Sequence, residues 1–168
     1  MFLRVISELK RWNRIENKSD ALPADCFFDI RTTRNTLSLW KIDNKNEISK
    51  FAVISTIGKS SLSKITYVLL DEEELQNCGL LITQDAPGCG YLDSSRTEIL
   101  SHHYDISLID HNDYIKIANV IIDKIETKKQ DIILLDEVRK TVKELCSDEI
   151  ILIDKLQESM KSSILEIN

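Results

Sequence analysis

The last 39 residues, 130–168, contain neither glycine nor proline, and sixteen of them are large aliphatic or methionine side chains. A stretch without breakers and with apolar groups at turn spacing predicts helix. The pattern starts earlier, from Asn112, where Tyr114, Ile117, Ala118, Ile121, Ile122 and Ile125 form one stripe. Leu135, Val138, Val142 and Leu145 form a second, and Leu152, Leu156 and Met160 a third after a soft break at Ser147-Asp148. A narrow two-in-seven seam over this length needs only about eleven apolar side chains. The surplus predicts cover on two sides, from the rest of the chain, a second copy or another protein. The second and third stripes are therefore the expected partner-binding residues.

Upstream, Phe2, Val5, Ile6, Leu9 and Trp12 recur at helical spacing, so residues 2–16 are expected to form an amphipathic helix. Asn17-Lys18-Ser19-Asp20 and Pro23 then break the chain. Residues 26–32 and 36–43 read as two strands of a hairpin, joined through Thr33-Arg34-Asn35. The second has apolar groups on both faces and belongs inside a sheet. Residues 47–57 read as a helix stopped by Gly58, and 65–70 as the best strand of the chain. A short acidic helix at 72–77, capped by Asp71, leads to a short strand at 80–83 and a long loop at 84–96. The expected fold class is α+β: a three- to four-stranded sheet in a core domain over 1–110, followed by a helical region over 111–168.

Composition narrows the function classes. Four glycines and two prolines exclude collagen-like and linker arrays, and 42% hydrophobic with 30% charged residues is the globular range. No apolar run reaches membrane-spanning length, so no membrane partner is expected. The net charge of −6 is uneven: residues 1–18 carry +3, residues 19–58 balance, and the remainder is acidic. An acidic body repels nucleic-acid backbones, leaving only the basic arm with Lys10, Arg11 and Arg14 for such contact. The same charges also suit the polar face of an amphipathic helix. Met1–Trp12 lacks the uninterrupted apolar core of an export signal, and Cys26, Cys78, Cys89 and Cys146 lie far apart without a C-x-x-C pair. They read as reduced thiols in a cytoplasmic protein.

Chemistry-bearing motifs are incomplete. Gly58-Lys59-Ser60-Ser61 resembles the end of a phosphate-binding loop, but the required earlier glycine is Val53, and Gly58 closes a helix instead of opening one. Asp85, Cys89, Asp93, His102, His103, Asp105, His111 and Asp113 concentrate metal-capable groups in one stretch, without the spacing of any metal motif. Cys89, between Gly88 and Gly90, is the one exposed-looking thiol, and a Cys–His pair with His102 or His103 is conceivable. These residues support the alternative of a small metal- or Cys/His-dependent hydrolase using residues 85–113, with His102, His103, Asp105 and Cys89 as its candidate groups. Arg31 and Arg34, beside the hairpin turn, could grip a phosphate or an acidic partner.

The leading expectation is a non-enzymatic protein–protein interaction module without cofactor or metal. It would be a small bacterial accessory subunit of a multi-protein defence or conflict complex, or an immunity protein, or would form a homo-oligomer. The apolar tail supplies its motive for association, and the acidic body its preference for a basic partner.

Overall fold

The computed structural model describes residues 1–14, 21–30, 34–84 and 91–165. Among them, six strands pair antiparallel throughout: β1 (Phe2–Ile6), β2 (Leu37–Lys41), β3 (Ile65–Leu70), β4 (Leu81–Thr83), β5 (His103–Ser107) and β6 (Gln130–Ile133). Their order across the sheet is β4-β5-β2-β1-β3-β6. The α-helices are α1 (Ile48–Thr56), α2 (Glu72–Asn77), α3 (Thr97–Leu100), α4 (His111–Glu126), α5 (Leu135–Ser147) and α6 (Glu158–Leu165). The α+β class stands, with six strands where three to four were expected.

The two unexpected strands, β1 and β6, have different causes. Residues 2–16 are not a helix: β1 occupies 2–6, and a 3-10 turn follows at Leu9–Trp12. Strand β1 lies in the middle of a sheet covered on both faces, so it is apolar on both sides. Phe2 and Ile6 enter one core, Leu3 and Val5 the other. A doubly buried strand loses its period-two signal and can imitate helical spacing. Strand β6 is a four-residue edge strand, half of it polar, set between two helices, and Lys128, in the left-handed region, turns the chain into it after α4. By pairing with β3, it draws the C-terminal region into the same sheet.

The expected strand at 26–32 is also corrected where it can be seen. Ala24–Phe28 is a 3-10 turn started at Pro23. Cys26 and Ile30 are buried while Phe28 is 62% exposed, which fits a turn and not alternation along a strand. The remainder of that strand, including Arg31, lies outside the described residues. The positions of α1, α2, β2, β3 and β4 follow the sequence pattern closely.

Two hydrophobic cores flank the sheet. One gathers Leu3, Trp40, Tyr67 and Ile133 from the strands against α1, α3, α5 and α6. The other gathers Phe2, Leu39, Val68 and Leu70 against α2, α4 and the two 3-10 turns. The tail stripes supply the first of these: Val138, Val142, Leu145, Leu156 and Met160 are all buried within the chain, and Leu135 and Leu152 are half-buried. The sheet face and α1 thus supply the second side of cover for these stripes, while Ile132, Leu134, Ile153 and Leu165 stay exposed.

Helix α4 shows how polar groups fix this packing. Asp110 caps it in a reciprocal box with Asp113, each side chain accepting the other's backbone N–H. Near its other end Lys124 is buried and meets Asp71 at 2.8 Å and Glu74 at 2.6 Å, locking α2 onto α4. Asp71 thus stands at the head of α2 without capping it by its side chain, since its carboxylate serves Lys124. Hydrogen bonding from Lys124 holds the Asp71 carboxyl below its ordinary value of 3.8.

Lys124→Met is expected to lower the unfolding free energy by about 1.5–3 kcal/mol in urea titrations at neutral pH, the range for charge-assisted hydrogen bonds. A carboxyl held low in the folded state stabilises above its unfolded value, and the contribution is lost as pH falls through the folded value. The gap between wild type and variant should thus be full at neutral pH and narrow below the ordinary Asp71 value of 3.8.

Candidate functional site

The histidines expected to catalyse or ligate are built into a stack of rings. His103, on β5, lies 5.0 Å from Trp40 on β2; Trp40 stacks on Phe51 of α1 at 5.2 Å, and Phe51 stacks on His102 at 4.9 Å. His102 Nδ1 is 2.9 Å from the Lys41 carbonyl oxygen, which orients its ring. The two imidazoles sit at opposite ends of this stack. Asp105, also on β5, is buried, and its Oδ1 has no hydrogen-bond partner among the described residues. His111 is exposed in the first turn of α4, and Asp113 is occupied by the capping box and Lys116.

Among the described residues, no three His, Cys, Asp or Glu side chains come close enough to share a metal ion. Asp93 caps a local turn through Ser95 and is not drawn into a cluster. Cys89 and Asp85 lie outside the described residues. Of the other thiols, Cys26 is buried and pushed up to about 11, chiefly by burial, with the Asp29 charge adding to it. Burial also raises Cys146. Both shifts oppose the thiolate that a nucleophile requires.

The basic arm is likewise engaged at home. Lys10 pairs with Glu8 at 3.3 Å, and Arg11 pairs with Glu8 at 2.9 Å and Asp29 at 3.5 Å. Arg14 reaches across to α4, meeting Glu126 at 2.5 Å. These three cations do not form one face of a helix, because the segment carrying them is a 3-10 turn and its exit. Arg34 is exposed in a left-handed turn with Asn35.

The structure places a site where no motif pointed. Strands β1 and β2 pair at Phe2–Lys41 and Leu3–Trp40 only, whereas β1 pairs with β3 along its full length. Where the β1–β2 ladder stops, the sheet opens into a cavity of about 240 Å³ lined by Leu3, Arg4, Trp40, Lys59, Tyr91 and His103, with serines at its rim. Arg4 crosses the gap: one terminal nitrogen donates to the Ser38 carbonyl at 3.1 Å and the other to the Asp29 carbonyl at 2.6 Å. Its Nε is buried and has no hydrogen-bond partner among the described residues. Tyr91 forms one wall, its hydroxyl donating to the Ile54 carbonyl at 3.1 Å. A Cβ at position 58 would lie 2.9 Å from the Tyr91 ring, so Gly58 is required for that wall to close.

Lys59, immediately after Gly58, borders the cavity. Desolvation pulls its ammonium below the ordinary lysine value of 10.5, opposed by Asp29 and reinforced by repulsion from Arg4. The Arg4 guanidinium is lowered to about 10 by burial, with Asp29 pulling the other way. Asp29 is itself committed: its carboxylate accepts from Trp12 Nε1 at 2.8 Å and pairs with Arg11. Neither Arg4 nor Lys59 forms an ion pair with a carboxylate among the described residues.

A second feature lies at the sheet's outer edge. On β4, Leu81 is 49% exposed, and it pairs with Ser107; the next residue, Leu108, is 76% exposed. Leu108 also adopts φ 57°, a left-handed conformation that costs a non-glycine residue roughly 1–2 kcal/mol. Compared with family models, curated proteins and solved structures, the chain matches none.

His102→Ala and His103→Ala are each expected to lower unfolding free energy by about 1–3 kcal/mol, because each deletes a packed ring. Elemental analysis of purified wild-type protein should find no metal that these variants lose. Stoichiometric zinc or manganese, lost in the double variant, would reverse the assignment to structure.

Proposed function

We propose that the chain is a non-enzymatic protein–protein interaction module whose contact surface is the β4 edge around Leu81 and Leu108. One observation carries this reading: Leu81 on the edge strand β4 and Leu108, one residue beyond its partner Ser107, are both exposed, the latter in a strained backbone conformation. Strain at an exposed, apolar position needs a compensating interaction, and an interface provides one. The expectation that the partner sits on the tail stripes is replaced, since those side chains fill the chain's own core.

The partner is a protein with an apolar patch set in basic surroundings. The net charge of −6 favours approach of such a surface and disfavours an acidic one. This suits a small bacterial accessory subunit of a defence or conflict complex, or an immunity protein that neutralises a basic toxin. The ring-stacked His102 and His103 and the raised Cys26 and Cys146 thiols support binding over catalysis.

Leu108→Gly tests the reading because it separates binding from folding. Glycine removes the left-handed penalty, so thermal stability is expected to hold or rise by about 1 kcal/mol. The tagged chain purified from its native host should carry a stoichiometric partner, identified by mass spectrometry. Leu108→Gly and Leu81→Lys should each weaken that complex by tenfold or more, roughly 1.4 kcal/mol. A complex of unchanged affinity, or a wild-type chain that is a bare monomer by light scattering, would overturn it.

A further inference from the structure

We propose that the cavity at the β1–β2 seam is a binding site for a phosphate-sized oxyanion, held between Arg4 and Lys59. This goes beyond the interaction reading and rests on different residues.

The argument begins with an unpaired charge. A buried guanidinium is tolerated when its donors are matched and its charge is opposed. Arg4 has matched two donors with main-chain carbonyls, yet its Nε–H has none, and the nearest acid, Asp29, offers it a carbonyl instead of its carboxylate. A second cation, Lys59, faces the same space and is close enough for the two to destabilise each other. The Asp29 charge acts on both cations, but its carboxylate is shared with Arg11, so three cations face one carboxylate and the cavity stays complementary to an anion.

The remaining geometry fits the same chemistry. Ser7 and Ser38, both exposed, line the rim and can donate or accept. The floor is apolar and aromatic, formed by Leu3, Trp40 and the buried His103, which limits competing water. The cavity of about 240 Å³ far exceeds the roughly 10–15 Å³ that one water needs. An oxyanion there meets the Arg4 guanidinium and the Lys59 ammonium, and neutralises both. No bond is made or broken; the site binds.

Isothermal titration calorimetry of the full chain with inorganic phosphate, and separately with adenosine monophosphate, tests this, with chloride matching the ionic strength. Saturable one-to-one binding and a rise in Tm are expected. Lys59→Glu should weaken binding by tenfold or more; Lys59 is exposed, so the variant folds, as circular dichroism will check. Lys140→Glu, with the same change in net charge on the exposed face of α5, should leave affinity within about twofold, because Lys140 does not line the cavity and an exposed charge is screened by salt. Tighter binding of the monophosphate than of phosphate makes a phosphate monoester the natural occupant, and equal binding makes it the free ion. No saturable heat with either probe at millimolar concentration, or equal loss in both variants, overturns the site.

Discussion

Strand β1 carries the sheet, and its ladder to β2 stops after two pairs. On one side of that seam lie β4, β5 and β2, and on the other β1, β3 and β6. A central strand that leaves its neighbour exposes main-chain carbonyls to the interior, at a cost unless something else donates to them. Arg4 is that donor, reaching the Ser38 carbonyl where the backbone of β1 no longer does. A side chain with a planar fork of donors can bridge a widening gap that backbone amides cannot follow. The result is a sheet that remains hydrogen-bonded while opening a cavity beside its middle strand.

Arg4 in turn depends on the two 3-10 turns. The Asp29 carbonyl accepts from Arg4, while its buried carboxylate accepts from the Trp12 indole and pairs with Arg11. One residue therefore holds the turn at 9–12, the turn at 24–28 and the seam in a fixed relation. A buried carboxylate with these partners stabilises little relative to an apolar replacement, but losing one partner leaves a charge stranded. The network specifies the arrangement more than it strengthens it. It also explains why the N-terminal cations are poor candidates for gripping nucleic acid: Arg11 completes Asp29, and Arg14 ties the same segment to α4.

The parts of the fold that were legible in the sequence are those with one dry face. The stripes of α4 and α5 and the alternation or bounding turns of β3, α2 and β4 read through, because a half-buried element leaves its period in the residues. Strand β1 did not, since Phe2, Leu3, Val5 and Ile6 are wanted on both faces. Strand β6 did not either, being four residues long between two true helices. The tail does carry an excess of apolar groups, and most of it is covered by the sheet and α1 instead of by another chain. In the sequence Lys59 stands only in an incomplete phosphate-loop pattern, because Gly58 ends a helix. The lysine nevertheless borders a cavity. Arg4 carried no signal at all, because a single arginine in an apolar run looks like a solvated helix position until the strand beside it is known to part.

The acidic exterior and the cationic cavity make different physical demands. A net charge of −6 raises the potential that any small anion must climb at long range. Occupancy must then come from short-range donors in a partly dry space, where an ion pair is worth far more than at the surface. The same exterior favours the basic protein surface proposed for the β4 edge, so the two features select opposite charges at different distances. They are also mechanically close. The four paired residues of β2 and β5 run from Leu37–Ile106 to Trp40–His103. Ser38 at the cavity rim belongs to β2, and Ile109, just beyond Leu108, donates its N–H to the Asn35 carbonyl just before that strand. Leu108 is thus held at the end of the same ladder whose far strand, β2, borders the seam.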